Sequence, residues 1–349
     1  MIDKENQLID IIIPNWNGEE MLEMCLGSLQ NQTSKKFTVT VVDNGSVDGS
    51  LDLLKTHYPA VQVLSFQENR GFSAAVNAGI KMTNNTWILL LNNDIEMARD
   101  CIEILLENCL NQDEFDLFAL KMLSFDQRSI LDGAGDGILR GGVGYRLGTM
   151  EKDGPHYQLR RNVFGACAGA ALYRRSLFKA IGLFDEDFFA YLEDVDLNLR
   201  AARSGHKCFF LPDAKVYHIG SGSTGSKINQ FTICLSTRNN IFVLLKHYSL
   251  AMFIRFLPAI LIYQLFWFMF VLKKAQLKAY LKGLMQSISL TATMIQKRKD
   301  IKKSTTISAR VLGDMMIMSE TTVIRSIMAR RRQAGKNNWA LKTYLRVLC

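Results

Sequence analysis

Thr86-Trp87-Ile88-Leu89-Leu90-Leu91-Asn92-Asn93-Asp94 decides the fold. Five apolar residues run without a break and stop at amides and a carboxylate. Such a run suits a central strand of a parallel sheet covered on both faces. Ligands of open α/β sheets sit beyond the carboxyl ends of the strands, which would put Asp94 at the mouth of a site. A buried strand ending in an ordinary polar turn reads the same way, so the weight falls on whether other segments converge on Asp94.

Working outward, they do. Leu8 to Ile13 reads as a first strand, closed by Pro14 and the turn Asn15-Trp16-Asn17-Gly18. A helix follows, with Leu22, Cys25, Leu26 and Leu29 at helical spacing. Phe37 to Val42 is a second strand ending in Asp43-Asn44-Gly45-Ser46, where Ser46 or Asp48 could cap the next helix. Val61–Leu64 is a short third strand, Asn69-Arg70-Gly71-Phe72 a turn, and Ser73 to Met82 a helix of small residues. Strand–helix alternation with short loops predicts a parallel, doubly wound sheet. Its strand ends gather Asn15, Asn17, Asp43, Asn44, Asn92 and Asp94. No Gly-x-Gly-x-x-Gly or Gly-Lys-Ser/Thr loop is present, which removes the usual support for a dinucleotide dehydrogenase or a P-loop phosphotransferase.

Length and composition set the frame. The 349 residues allow one large domain with an appendage, or two domains, and 48% hydrophobic residues allow a sizeable core. The charged start, Met1 to Gln7, lacks a signal-peptide layout, and the seven scattered cysteines include no Cys-x-x-Cys pair. Both features point to a reduced, cytosolic setting. The net charge of +9 conceals an asymmetry: from Lys246 onward there are 19 Lys/Arg and 3 Asp/Glu, leaving 23 basic against 30 acidic residues before it. A basic half implies an anionic partner.

Ile13-Pro14-Asn15-Trp16-Asn17, Val42-Asp43-Asn44-Gly45-Ser46-Val47-Asp48-Gly49-Ser50, Asn69-Arg70-Gly71-Phe72 and Leu91-Asn92-Asn93-Asp94 together resemble the successive motifs of family 2 glycosyltransferases, over about residues 8–222. The resemblance implies a GT-A (Rossmann-like, doubly wound) α/β catalytic domain over 1–235. It also implies transfer of a sugar from a nucleoside diphosphate, a dTDP- or UDP-sugar, to a hydroxyl. Pro14, Asn15, Asn17, Asp43, Asn44, Arg70, Asn92 and Asn93 would line the donor, with Asp43 accepting from the pyrimidine N–H and Arg70 touching the base. The family's Asp-x-Asp motif holds a divalent cation. Here its first carboxylate is Asn92, so the metal role, for Mg²⁺ or Mn²⁺, passes to Asp94 alone, joined by His218. Tyr191 to Arg200 resembles the family's Glu-Asp motif: Asp194 would be the catalytic base and Glu193 its support, both at a helix start where the dipole favours anions. Asp196 and Arg200, four apart, are expected to pair on the surface. The Gly220 to Thr224 stretch would offer backbone N–H groups to phosphate.

Asp132 to Gly148 is glycine-rich and reads as a mobile loop, and Gly165 to Ala171 leads into a strand at Ala171-Leu172-Tyr173. Asp132-Gly133-Ala134-Gly135 resembles a piece found in bacterial rhamnosyltransferases of the family, which implies L-rhamnose as the sugar. Galactofuranose, glucose, an N-acetylhexosamine, or a non-catalytic scaffold remain as alternatives.

The remainder, 236–349, reads as a basic helical, membrane-associating extension. Phe256 to Leu272 is 17 residues without a charge, bracketed by Arg255 and Lys273-Lys274. A span needs about 20 apolar residues, and Pro258 and Gln264 interrupt this one. A helix lying in the interface is favoured over a span or a buried helix. Lys273 to Lys303 and Arg330-Arg331-Arg332 imply attraction to an anionic membrane surface. Nothing supports nucleic acid. The setting expected is the cytoplasmic face of the cell membrane, with a glycan or polyprenyl-linked acceptor.

Overall fold

The computed structural model describes residues 9–111, 114–220 and 228–348. The reading of Leu8 as a strand residue, the charged start and the phosphate-loop residues 221–224 lie outside them.

In chain order the elements are β1 Ile9–Asn15, α1 Glu19–Gln30, β2 Phe37–Asp43, α2 Ser50–His57, β3 Gln62–Ser65, α3 Phe72–Met82, β4 Trp87–Leu91, β5 Ile95–Met97 and α4 Cys101–Asn111. Then follow β6 Leu117–Ser124, β7 Leu131–Ala134, β8 Asp136–Leu139, β9 Val143–Arg146, β10 Arg161–Val163, β11 Ala170–Arg174, α5 Arg175–Ile181, α6 Glu193–Arg203 and β12 Cys208–His218. The chain ends in helices: α7 Gln230–His247, α8 Leu250–Lys273, α9 Leu277–Ser289, α10 Thr291–Ser304, α11 Ala309–Gln333 and α12 Trp339–Leu348.

The main sheet runs β10-β12-β6-β11-β4-β1-β2-β3. β4 is buried along its whole length. Trp87, Leu89 and Leu91 join the core under α1 and α4, while Ile88 and Leu90 join the one under α3 and α5. Side chains alternate across a strand, so an unbroken apolar run is what two covered faces require. Small residues let α3 lie close to the sheet: a Cβ on Gly79 would collide with Ile12.

The sheet is not wholly parallel. β4, β1, β2 and β3 are parallel neighbours, but β11 enters antiparallel between β4 and β6. Gly165–Gly169 feeds β11 directly, with no crossover helix to reverse the chain, and parallel pairing needs such a crossover. Of the two caps expected before α2, Ser46 is engaged elsewhere, accepting from the Asn17 N–H at 2.9 Å, while the N-cap position is Gly49 and Asp48 Oδ1 accepts from the Ser50 N–H that opens the helix at 3.1 Å.

The glycine-rich segment is ordered structure rather than a mobile loop. β7 pairs with β6, and β8 pairs with β9 as a hairpin. Three of its glycines serve close packing by the C-terminal helices: a Cβ on Gly137 would strike Val323 of α11, one on Gly141 would meet Tyr263 of α8, and one on Gly142 would meet Leu244 of α7. The Ile138 N–H donates to Ser319 Oγ at 2.8 Å, and Arg140 forms a buried ion pair with Glu320.

The C-terminal helices share a core with the catalytic part. Phe242, Tyr248, Met252, Phe256, Ile260, Leu312 and Met316 pack with Ile138, Phe188, Val195 and Leu199. Position 235/236 falls inside α7. Asp196 and Arg200 do pair, at 2.9 Å, but deep in this junction rather than on the surface. Lys246 at 2.5 Å and His247 at 2.8 Å, both from α7, reach the same Asp196 oxygen.

Candidate active site

The carboxyl ends of β1, β2 and β4 deliver one polar chain of contacts. Asn93 Nδ2 donates to Asn15 Oδ1 at 2.7 Å, and Asn15 Nδ2 donates to Asp43 Oδ1 at 3.3 Å. The Ser46 N–H donates to Asp43 Oδ2 at 3.1 Å. Asn17, at φ 49°, accepts from the Val47 N–H at 2.8 Å and so ties the turn after β1 to the turn after β2. Asn44 is spent on the next turn: its Oδ1 accepts from the Arg70 N–H at 2.9 Å, and its Nδ2 donates to Asn69 Oδ1 and Gly71 O. Arg70 is exposed, its guanidinium 4.8 Å from the Phe66 ring centre. Pro14, half-buried, sits beside Val42 in the β1–β2 register.

Asp94 follows β4 and faces His218 at the end of β12, because β5 pairs with β12 and sets Ile95 opposite His218. His218 Nε2 lies 3.3 Å from Asp94 Oδ2, and His218 Nδ1 lies 2.6 Å from Asp132 Oδ2. Burial pulls the imidazole pKa down, but the bonds to Asp132 and Asp94 outweigh it and push it up to about 9. Asp132 itself forms an ion pair with Arg146.

Asp194 and Glu193 open α6. Phe189 (φ 63°), Tyr191 (φ 68°) and Leu192 (φ 65°) precede them in the left-handed half of backbone space. Each costs about 1–3 kcal/mol and persists only where the surroundings enforce it. Asn239 of α7 supplies that force: its Nδ2 lies 2.9 Å from Phe188 O, 2.9 Å from Ala190 O and 2.7 Å from Tyr191 O. The turn therefore aims Asp194 rigidly. Asp194 Oδ1 accepts from the Val195 N–H at 2.8 Å.

Burial raises the Asp194 pKa, although N–H groups of Val195 and Ala168 and the Arg146 charge oppose it. Burial and the Asp194 charge raise Glu193 well above the ordinary range, and the same two causes raise Asp136. An oxygen of Asp136, an oxygen of Asp194 and Cys167 Sγ all lie within 4.8 Å of one another. Arg146, paired with Asp132, also feels the charges of Asp136 and Asp194, so it links the His218 side of the site to the Asp194 side.

The donor set fits a hard divalent cation on the His218 side. Among the described residues, Asp94 Oδ1 is buried with no hydrogen-bond partner, as is Asn92 Oδ1. A buried, unpaired carboxylate oxygen is costly unless a cation meets it. The Asp136–Cys167–Asp194 group fits less well: burial raises the Cys167 thiol pKa well above its usual value, and Mg²⁺ and Mn²⁺ prefer oxygen ligands to sulfur.

The structure thus brings Asp43, Asn15 and Asn93 into one hydrogen-bonded chain, sets Asp94 against His218, and joins Glu193 to Asp194 at one helix start. It leaves Arg70 at the rim. Sequence reasoning missed Asp132 and Arg146, hidden in what read as loop, and Asn239, which lies 45 residues beyond Asp194. The acid of Asp132-Gly133-Ala134-Gly135 was visible as part of a motif, but no local signal paired it with His218.

Comparison with known proteins supplies the family and the fold. The family described as Glycosyl transferase family 2 matches residues 10–182. The chain is 28% identical over 240 residues to N-acetylglucosaminyl-diphospho-decaprenol L-rhamnosyltransferase of Mycobacterium tuberculosis, covering 62% of this chain and 78% of that protein. It is 28% identical over 197 residues to a PGL/p-HBAD biosynthesis glycosyltransferase of Mycobacterium bovis, covering 55% of this chain and 69% of that one. Among solved structures, GalNAc-T7 with UDP, GalNAc and Mn²⁺ superposes with a TM-score of 0.56 at 17% identity, over 70% of this chain and 48% of its own. Residues 1–349 of S. aureus TarS superpose with a TM-score of 0.51 at 17% identity, over 95% of this chain and 92% of theirs. These two establish likeness of fold. Residues 10–182 carry the family's sequence, and the likeness of fold extends over 95% of the chain; on both grounds the protein carries a family 2 glycosyltransferase domain of GT-A fold and is similar to rhamnosyltransferases.

Proposed function

We propose that this glycosyltransferase is inverting and metal-dependent, and moves L-rhamnose from a nucleoside diphosphate (dTDP or UDP) to a lipid-linked glycan. The observation that carries the reading is the pairing of a rigidly aimed carboxylate, Asp194, with an unsatisfied acidic pocket at Asp94 and His218, the two joined through Arg146. Asp94 and His218 would hold Mg²⁺ or Mn²⁺. Bound there, the ion would supply Lewis-acid stabilisation to the charge of the departing diphosphate.

The chain's own residues supply the rest. Asp43, with Asn15 and Asn93 behind it, receives the nucleotide base, Arg70 closes over its rim, and the donor lies against Pro14, Asn17, Asn44 and Asn92. Asp194 takes the proton of the acceptor hydroxyl while that oxygen attacks the anomeric carbon. The bond from that carbon to the diphosphate breaks on the opposite face, so configuration inverts. Glu193, beside Asp194 at the start of α6, supports acceptor binding. The donor sugar and the lipid-linked acceptor rest on the name of the mycobacterial relative. On this reading, 1–235 carries the chemistry and 236–349 brings it to the cytoplasmic face of a membrane.

Asp194→Asn keeps shape and loses the base. General-base removal costs about 10²–10⁴-fold, so sugar transfer should fall by that factor with donor affinity retained. Near-normal turnover contradicts the assignment. Asp94→Ala should abolish the metal dependence of donor binding in a calorimetric titration, and an unchanged metal titration would remove Asp94 from the site. Metal-dependent hydrolysis of deoxythymidine- against uridine-diphosphate sugars then selects the donor.

A further inference from the structure

Helices α8 and α9 carry apolar side chains on two faces, and among the described residues only one of those faces is packed. On α8, Met252, Phe256, Ala259, Ile260 and Val271 are buried against the body of the protein. Gln264 Nε2 donates to Asn240 at 2.6 Å and Trp267 Nε1 donates to Thr237 at 3.0 Å, so α7 holds this face by hydrogen bonds as well. The other face presents Leu250, Ile254, Leu257, Leu261, Leu265, Met269 and Leu272, every third or fourth residue, all exposed. On α9, Ala279, Gly283 and Ser287 pack inward, with Gly283 tight against Cys234 and Thr237 of α7. Leu277, Leu281, Met285 and Ile288 point outward. Both helices lie on α7 and touch each other through Phe268 and Tyr280, ring centres 5.5 Å apart, so their outward stripes form one surface.

The charges around this surface name its occupant. No Asp or Glu occurs between Lys246 and Asp300, while Lys273, Lys274, Lys278 and Lys282 stand exposed beside the stripes. Exposed apolar rows flanked by lysines match the acyl boundary and anionic headgroups of a bilayer. Long enough to cross a membrane by length and composition, α8 nonetheless has one side committed to the protein core. Crossing would strip Phe256 and Ile260 from Phe242, Tyr248 and Met316.

We infer that α8 and α9 form a monotopic docking face on which the enzyme lies in the plane of an anionic bilayer, without spanning it. The inference rests on the membrane setting proposed above and specifies which residues enter the lipid.

The test uses the full chain with vesicles of phosphatidylcholine alone and of phosphatidylcholine with phosphatidylglycerol. Wild-type protein should sediment with the anionic vesicles, and alkaline carbonate should release it from cell membranes. The double variant L261E/L265E, which changes only exposed side chains, should lose about tenfold in vesicle binding with an unchanged melting temperature. K274E/K278E should lose the preference for anionic over neutral vesicles. Carbonate-resistant insertion overturns the in-plane face while leaving membrane association intact. Vesicle binding by L261E/L265E equal to wild type overturns the face itself. So does a stable dimer by light scattering that L261E/L265E dissociates, since a second copy then occupies the surface. Absence of vesicle binding by wild type, beside intact transferase activity toward a water-soluble acceptor, removes the surface and leaves the catalytic reading standing.

Discussion

At the scale of the residue, the site depends on which atoms remain unpaired and which are held. Asp132 touches no donor-side strand end, yet it fixes His218: with Nδ1 bound to Asp132, Nε2 must face Asp94. Partners of this kind orient metal-binding histidines, and their loss typically costs about 10–100-fold in metal affinity. Asp132→Asn should therefore weaken Mn²⁺ binding by about that factor, read from the free-ion paramagnetic resonance signal. Unchanged affinity would mean that the ring is held elsewhere. Asp43, Asp94, Glu193, Asp194 and His218 could be picked out as candidates from the sequence, because each sits in a motif with recognisable spacing. Asp132 was not, because its pairing with His218 spans 86 residues and leaves no periodic trace, and Arg146 was hidden in the glycine-rich segment that read as loop.

At the scale of the element, β4 and the turn before α6 show the two ways a fold positions chemistry. β4 does so by burial, which its composition announces. The turn does so by strain, which its composition hides: nothing in Phe189-Ala190-Tyr191-Leu192 suggests three left-handed residues. Asn239 opposes that strain with one amide. Asn239→Ala should lower stability by about 1–3 kcal/mol, the cost of losing a buried donor's hydrogen bonds, and should reduce turnover more than donor affinity, since Asp194 loses its aim. A melting curve with paired kinetics reads both, and equal loss of the two kinetic constants would argue against a positioning role. The glycine-rich hairpin was misread for the same reason: glycine marks both loose chain and close packing, and here the packing partners are helices more than a hundred residues away.

At the scale of the whole molecule, the catalytic part and the helical extension meet in a buried charge cluster around Asp196. Burial pushes that carboxyl up, but Lys246, Arg200 and His247 outweigh it and hold it well below the usual range. His247 is itself depressed from 6.5 to about 4, chiefly by burial. Its folded-state pKa lies below its unfolded value, so between about pH 6.5 and 4 the unfolded chain binds the extra proton, and stability falls as pH falls through that window. Asp196, held below its unfolded value, adds a loss of the same sign only below about pH 5. Chemical denaturation at pH 7 and pH 4.5 should show a loss on the order of 1–3 kcal/mol, reduced in His247→Gln; an identical pH slope in that variant would assign the effect to other groups.

The sequence by itself determined the strand–helix alternation, the strand ends where Asp43 and Asp94 stand, the carboxylates of α6 and the basic, apolar character of the chain beyond Lys246. These are local properties: a hydrophobic period or a turn residue acts on its own few neighbours. Only the tertiary structure decided that β11 runs antiparallel, that Asp132 holds His218, that Asn239 braces the turn before Asp194, and that one face of α8 belongs to the core. The uncharged run 256–272 reads alike for a membrane span and for a helix apolar on both sides. Which surface covers a face is set by segments far away in sequence, and an apolar side chain gains the same from water's exclusion whether protein or lipid excludes it.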